Sequence, residues 1–306
     1  MAKVQASPFR LALLQLGGLT SSKSSNIASA RSAVAAAAAS HPKPQLIVLP
    51  EIWNSPYAVS SFREYSERVP EMGSKWSEEV KEGGEGETVR ALREMARSSG
   101  CWLIGGSIPE KDDKTDNIYN TCTVYDPEGT LVATHSKVHL FDIDIPGKQT
   151  FKESDTLTGG SHLTTFTTPF GKIGLGICYD IRFPEMAMIA ARQGCIAMIY
   201  PAAFNTTTGP MHWTLLQRAR AVDNQIYVAM CSPARHPDAA YQAYGHSSVV
   251  NPVGDVVVEA GHEPETLYAD IGNVADPEQL ATTRRNIPVT LQRRFDVYPD
   301  VAAGKE

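Results

Sequence analysis

The chain has 306 residues, 42% of them hydrophobic and 20% charged, and a formal net charge of −6. A chain this long can bury a substantial core, and its composition is that of an ordinary globular protein. The negative balance excludes general binders of nucleic acid or anionic membranes, which need a basic face. No stretch reaches the ~18 consecutive apolar residues of a membrane span.

The first residues, Met1 to Phe9, lack the apolar core of a secretion signal. Residues 1–43 are free of acids and rich in Ser and Ala, as in a transit peptide, but a core strand from Phe9 leaves little to remove. A cytoplasmic protein is expected, with mitochondrial import as the alternative. The five cysteines, Cys101, Cys122, Cys178, Cys195 and Cys231, are odd in number and show no C-x-x-C spacing, so free thiols are expected.

In chain order, Phe9–Leu16 is a short apolar strand. Ser22–Ser40 offers serine caps and then an alanine-rich run, so a helix is predicted. Gln45–Leu49 is a continuous apolar strand that stops at Pro50. Residues 60–85 are polar and read as exposed helix and loop, and Glu87–Ser99 as a second helix. Trp102–Ser107 is a strand, and Asn120–Tyr125 and Thr130–Lys137 form a hairpin around Pro127–Gly129.

Residues 140–160 are rich in Gly, Pro and Asp without periodicity, the signature of a functional loop. Strand Lys172–Cys178, helix Pro184–Gln193, strand Ala197–Pro201, helix His212–Asn224 and strand Ile226–Cys231 follow. Ser247–Val250 pairs with Asp255–Glu259 around Pro252–Gly254, then comes Thr266–Ile271, and Arg284–Arg294 is a basic tail. The alternation predicts a layered α/β fold. With no linker or repeat, one domain over 1–306, with its core at about 9–298, is the simplest reading.

Several motifs are excluded. Gly245-His246-Ser247 continues with Ser248-Val249, so the G-x-S-x-G elbow fails. No phosphate loop is present. Gly171, Gly174 and Gly176 lie before or within a strand and not after one, which argues against a dinucleotide site. His135 and His139 are four apart, but no glutamate lies between them and the run reads as extended. A strand places both on one face without making a metal pair, so no metal is expected.

Cys178 ends an apolar run directly before the polar Tyr179-Asp180, where α/β enzymes place reactive groups. A buried cysteine acting as a small hydrophobe is the bland alternative. A thiol nucleophile needs a base or a lowered pKa, and Glu51 and Lys137, both at strand ends, are the available helpers. Both could equally be solvated surface charges.

Leu49-Pro50-Glu51, His135 to Phe141 and Gly176 to Glu185 resemble, in order, the Glu, Lys and Cys signatures of the nitrilase superfamily. The similarity runs from about Phe9 to Tyr298. Within it the chain is most similar to the Nit-type omega-amidases, through Leu140–Lys148, Phe151–Ser154, Ala203–Pro210, Gln217–Gln225, Ser232–Arg235 and Gly245–Ser247. Amidases of deaminated glutathione share Cys178-Tyr179-Asp180 and Arg182–Glu185 but differ around 142–152. True nitrilases carry Trp-Glu after the cysteine, where this chain has Tyr179-Asp180.

The resemblance implies a four-layer αββα sandwich, a homodimer, a small-molecule amide substrate and no cofactor. It implies that Glu51 takes the thiol proton, that Lys137 and the Tyr179 backbone N–H stabilise the oxyanion, and that Glu153 orients Lys137 or a water. The implied reaction is hydrolysis of the ω-amide of a 2-oxo dicarboxylic acid monoamide through a thioester. Such a substrate has a distal carboxylate. Arg182 is a candidate to bind it, against a structural ion pair with Asp180 or Glu185. Tyr57 and Phe204 are candidates for the pocket wall, against ordinary packing. The alternatives are an amidase of deaminated glutathione or another carbon-nitrogen hydrolase of the superfamily, and, of another class, a catalytically idle Nit-type scaffold.

Overall fold

The computed structural model describes residues 6–75, 85–147, 149–272 and 279–298. In chain order the elements are β1 (Phe9–Gln15), α1 (Lys23–Ala38), β2 (Leu46–Val48), α2 (Val59–Tyr65), α3 (Glu87–Ser99), β3 (Trp102–Lys111), β4 (Ile118–Tyr125) and β5 (Leu131–Ser136). Next come β6 (Asp142–Ile145), β7 (Gln149–Lys152), β8 (Thr164–Thr168), β9 (Gly171–Leu175), α4 (Pro184–Arg192), β10 (Cys195–Pro201) and α5 (Gly209–Asn224). The chain finishes with β11 (Tyr227–Cys231), β12 (Ser248–Val250), β13 (Val256–Glu259), β14 (Glu265–Ile271), α6 (Gln279–Asn286) and α7 (Val289–Gln292).

Two six-stranded sheets form, in the orders β14-β1-β2-β3-β4-β5 and β13-β12-β11-β10-β9-β8. Each has three parallel strands at its centre, β1-β2-β3 and β9-β10-β11, with antiparallel strands outside them. Parallel strands buried on both faces should be apolar throughout. Leu46–Val48, Cys195–Pro201 and Tyr227–Cys231 are, and every residue in them is buried.

The layers follow from which side chains face which way. Leu11, Leu13, Leu46, Val48, Ile104 and Val124 of the first sheet join Ile173, Leu175 and Val228 of the second in one core. The alternate residues Ala12, Leu14, Ile47 and Leu103 pack instead on Ile27, Ala30 and Val34 of α1 and on Leu92 and Met95 of α3. Helices α4 and α5 pack on the outer face of the second sheet. The result is the expected αββα sandwich.

Boundaries and details differ from the reading above. The strand expected to run to Cys178 ends at Leu175. The loop expected over 140–160 contains the β6-β7 hairpin, and β8, where four threonines among five residues hide the apolar-polar alternation, is absent from that reading. The basic tail holds α6 and α7, and Arg293 anchors it to α5 through the Asp223 carbonyl. Part of the polar stretch 60–85 lies outside the described residues.

Candidate active site

Glu51 follows β2, Lys137 follows β5, and Cys178 lies three residues past β9. β5 runs the same way as β3, being two antiparallel steps from it, so Glu51 and Lys137 leave the first sheet at the same end. Strand C-terminal ends are where open α/β sheets bind ligands.

The turn carrying Glu51 is built by close backbone packing. The Pro50 carbonyl accepts from Ser107 N at 3.1 Å, Ile52 N donates to Ser107 Oγ at 3.2 Å, and Trp53 Nε1 donates to the Gly105 carbonyl at 2.8 Å. Gly106 has φ +67°, and a Cβ there would sit 2.1 Å from the Pro50 oxygen. A residue without a side chain is therefore required.

Cys178 opens a 3-10 turn, Cys178–Arg182, with φ +46°. A left-handed conformation at a residue other than glycine is costly and persists only where its surroundings over-determine it. Here the Asp180 carboxylate accepts from Ile177 N at 2.9 Å on one side. On the other, Arg220 donates to the carbonyls of Ile181 and Arg182, both at 2.9 Å. Gly176 below the turn lets the Tyr200 ring approach, since a Cβ would lie 2.4 Å from it.

The structure brings Glu51, Lys137, Glu153 and Cys178 together. The first three are fully buried and Cys178 is 4% exposed. Lys137 Nζ lies 3.1 Å from Glu51 Oε1 and 2.9 Å from the Glu153 carboxylate. Glu153 Oε2 also accepts from Phe141 N at 2.8 Å. Glu51 Oε1 further accepts from Asn120 Nδ2 at 2.9 Å and Tyr57 OH at 3.2 Å. Glu51 Oε2 is buried without a hydrogen-bond partner, and the Cys178 thiol interacts with the same carboxylate.

Electrostatics sets the resting proton positions. Burial works against charge on Lys137, but Glu153, Glu51 and Cys178 outweigh it and hold the ammonium protonated well above the ordinary lysine range. Burial raises Glu51 above the usual carboxylate range, with Glu153 adding to it and Lys137 opposing. Burial and the nearby Glu51 push the Cys178 thiol far up, against Lys137 and the Ala203 backbone. The resting thiol is thus neutral, beside a carboxylate with raised proton affinity and an oxygen without a hydrogen-bond partner. Chemically, such a pair can act as a nucleophile and its base.

The second-tier candidates also lie at the site. Tyr57 OH reaches both carboxylates, donating to Glu153 Oε1 at 2.9 Å as well as to Glu51. Arg182, Tyr179, Phe204 and Cys178 line one small cavity with Phe141, Thr208 and Tyr241. The Arg182 guanidinium lies over the rings of Tyr179 and Phe204, at 5.5 and 5.0 Å. It pairs with neither Asp180 nor Glu185. Its Nη1 lies 3.0 Å from His212 Nδ1, its Nε has no partner, and burial lowers its pKa.

Sequence reasoning missed Asn120, His212 and Tyr241. Asn120 carried a signal: an amide fully buried in an otherwise apolar strand needs a partner. Tyr241 carried none, because it comes from the distant loop after β11. Its ring stacks on Tyr57 at 4.3 Å, its hydroxyl donates to the Ala203 carbonyl, and it stands between the small cavity and an outer one of about 280 Å³. Among the described residues, no group of three or more His, Cys, Asp or Glu is arranged to hold a metal ion.

A thiol, a carboxylate and two flanking charges at the strand ends of an αββα sandwich suit acyl transfer from nitrogen through sulfur. The carbon-nitrogen hydrolase family matches residues 10–279, and the chain belongs to that family. It is 48% identical to omega-amidase NIT3 of Saccharomyces cerevisiae over 99% of both chains. It is 50% identical to omega-amidase NIT2 of Homo sapiens over 95% of this chain and 96% of the human one. In three dimensions it is similar to the crystal structure of S. cerevisiae Nit3, a member of branch 10 of the nitrilase superfamily, with a TM-score of 0.84, 46% identity, and 96% and 99% of the two chains covered. The C. elegans NitFhit protein is similar at TM-score 0.80 and 30% identity, over 96% of this chain and 66% of that one.

Proposed function

We propose that this enzyme hydrolyses the ω-amide of a short 2-oxo dicarboxylic acid monoamide, such as 2-oxoglutaramate, to the dicarboxylate and ammonia. The observation that carries the reading is the closed charge set of Glu51, Lys137 and Glu153 around the Cys178 thiol. It occurs in a chain about half identical, over nearly its whole length, to proteins named omega-amidase.

In this mechanism Glu51 Oε2 takes the Cys178 proton as the sulfur attacks the amide carbon. Charge develops on the carbonyl oxygen, where Lys137 and the Tyr179 N–H stabilise it. Glu51 returns the proton to the departing nitrogen, ammonia leaves, and a thioester remains. Glu51 then deprotonates a water, which attacks the thioester carbon and displaces the thiolate, and the proton goes back to sulfur. Glu153 and Tyr57 hold Lys137 and Glu51 in register throughout.

Arg182 is assigned the substrate's distal carboxylate. Its position in the Cys178 cavity, its partnerless Nε and the lack, among the described residues, of an ion pair with Asp180 or Glu185 support this over a structural ion pair. We also propose a cytoplasmic homodimer. Met211, Leu215 and Val222 of α5 and Val253, Val256 and Val257 of the adjoining hairpin are apolar yet exposed, which supports an interface on that face.

Ammonia release from 2-oxoglutaramate, glutamine and deaminated glutathione, followed side by side, tests the substrate. The highest kcat/KM is expected on 2-oxoglutaramate. Preference for deaminated glutathione would replace this reading with the related amidase, and no turnover of any amide would favour an idle scaffold.

A further inference from the structure

His135 and His139, four apart, have no part in the chemistry above. Both reach the same atom pair. His135 Nε2 lies 3.1 Å from Asp180 Oδ2, and His139 Nδ1 lies 2.8 Å from Asp180 Oδ1. The His139 backbone N–H donates to Asp180 Oδ1 at 2.9 Å and the Ile177 N–H to Oδ2 at 2.9 Å. Asp180 is fully buried. Burial alone would raise its pKa, but hydrogen bonds from the two histidines, electrostatic attraction to His135 and the Ile177 amide hold it well below the usual carboxylate range. An ionised carboxylate only accepts, so the facing nitrogens of both rings carry protons.

These four contacts come from two segments. His135 and His139 flank Lys137 at two residues on either side, where the chain leaves β5 at Ser136 and bends at residues 138–139. Ile177 immediately precedes Cys178. One buried carboxylate therefore ties the segment bearing the ammonium to the turn bearing the thiol. The two segments have no shared strand pairing, since β5 and β9 lie in different sheets. His139 is also stacked flat on Phe183, with ring centres 3.5 Å apart, just past the nucleophile's turn. His135 is held from behind by Thr164 Oγ1 at 3.1 Å.

We infer that the His135–Asp180–His139 clamp is a positioning device that sets the placement of Lys137 relative to Cys178 and maintains the left-handed conformation of Cys178. Asp180, His135 and His139 touch neither substrate nor reacting atoms and act through the two residues they hold. The reason it matters is geometric: the oxyanion donor and the nucleophile must meet one carbonyl group from opposite sheets, and a displacement of about 1 Å costs on the order of 10²-fold in rate.

The inference rests on the thiol mechanism proposed above, so the test reads Cys178 separately. His139 is partly exposed, so His139→Ala leaves the fold intact, and His139→Gln restores a donor to Asp180. Each variant is compared with wild type and Asp180→Asn by kcat and KM, corrected for active sites by the burst of ammonia, and by the rate at which iodoacetamide alkylates Cys178. In His139→Ala, kcat should fall about tenfold or more and alkylation should slow, with KM changed little and the melting temperature held. Asp180→Asn should lose about 10²-fold, the scale of a misplaced group. His139→Gln should recover most of the loss.

Wild-type kcat and alkylation rate in folded His139→Ala would overturn the clamp, as would losses that vanish once corrected for active sites. If Asp180→Asn does not fold, His139→Ala and its Gln rescue decide alone. Substantial turnover by Cys178→Ala would instead refute the mechanism on which the clamp rests.

Discussion

At the scale of single residues, burial does most of the work. Five cysteines are buried and free, yet only Cys178 sits beside both a carboxylate and an ammonium. Burial pushes the Cys122 and Cys231 thiols up. Cys178→Ala should therefore abolish turnover, while Cys101→Ala, Cys122→Ala, Cys195→Ala and Cys231→Ala should keep most of it, read by ammonia release from purified variants.

Glu51 invites a paired prediction. A carboxyl whose folded pKa lies above its unfolded one binds its proton more tightly when folded. Its contribution is therefore fully present below the unfolded pKa and is lost as pH rises through the folded value. At neutral pH the charged Glu51 is thus a burden on the fold, and Glu51→Gln should melt no lower than wild type while kcat falls by about 10²-fold or more, the scale of a lost general base. Lys137 has the opposite consequence. Its raised pKa adds stability through the neutral range that is lost only above the usual lysine range, so Lys137→Met should lose a similar factor in kcat and some stability too. Near-normal kcat in Glu51→Gln would mean that another group takes the thiol proton.

Arg182 belongs to the same scale. A desolvated Arg–carboxylate contact is worth roughly 1.5–3 kcal/mol, which converts to a loss of about 10- to 150-fold in kcat/KM when the contact is removed. Arg182→Gln should show that loss on 2-oxoglutaramate and a much smaller one on a neutral amide of similar length. Equal losses on both would make Arg182 part of the scaffold, and the substrate carboxylate would need another partner.

At the scale of elements, the site depends on turns whose shape is imposed from outside. The Glu51 turn presses its Pro50 carbonyl against β3, and Gly106 leaves the room. Gly106→Ala meets both a positive φ and a 2.1 Å approach. A strained conformation alone costs about 1–3 kcal/mol, so a lower urea midpoint is expected, together with reduced kcat as Glu51 shifts. An unchanged midpoint would mean that the turn yields easily and does not fix Glu51.

The elements themselves were largely legible in the sequence. Continuous apolar runs announced β2, β10 and β11, and the serine cap with alanines announced α1. The same rule misplaced the end of β9, because Gly176 and Ile177 are as apolar as a strand and nothing local marks where the ladder stops. The β6-β7 hairpin was hidden by Asp142 and Asp144, which face solvent and break the apolar pattern.

At the scale of the whole molecule, the apolar face of α5 and its neighbouring hairpin sets the expected assembly. Charging its centre with Leu215→Glu places a charge where Leu215 is 62% exposed in the isolated chain, so the monomer fold should survive. Sedimentation velocity should show a dimer for wild type and a monomer for the variant. A wild-type monomer at micromolar concentration would remove the dimer from the proposal, and a variant that still dimerises would move the interface to another face.

The sequence by itself determined the alternation of elements, the strand-end placement of Glu51 and the order of the three motifs, because these depend on periodicity and neighbours. It also held the spacing of His135, Lys137 and His139 along one short segment. Only the tertiary structure decided what that segment meets. Glu51 and Lys137 are far apart in sequence and ambiguous as charges, and it is the packing of two sheets that buries them with Glu153 against Cys178. Asn120, through Glu51, and Asp180, the shared partner of His135 and His139, enter the same way: their roles arise from contacts across more than 40 residues, where no local pattern reaches and a buried polar group must find its partner.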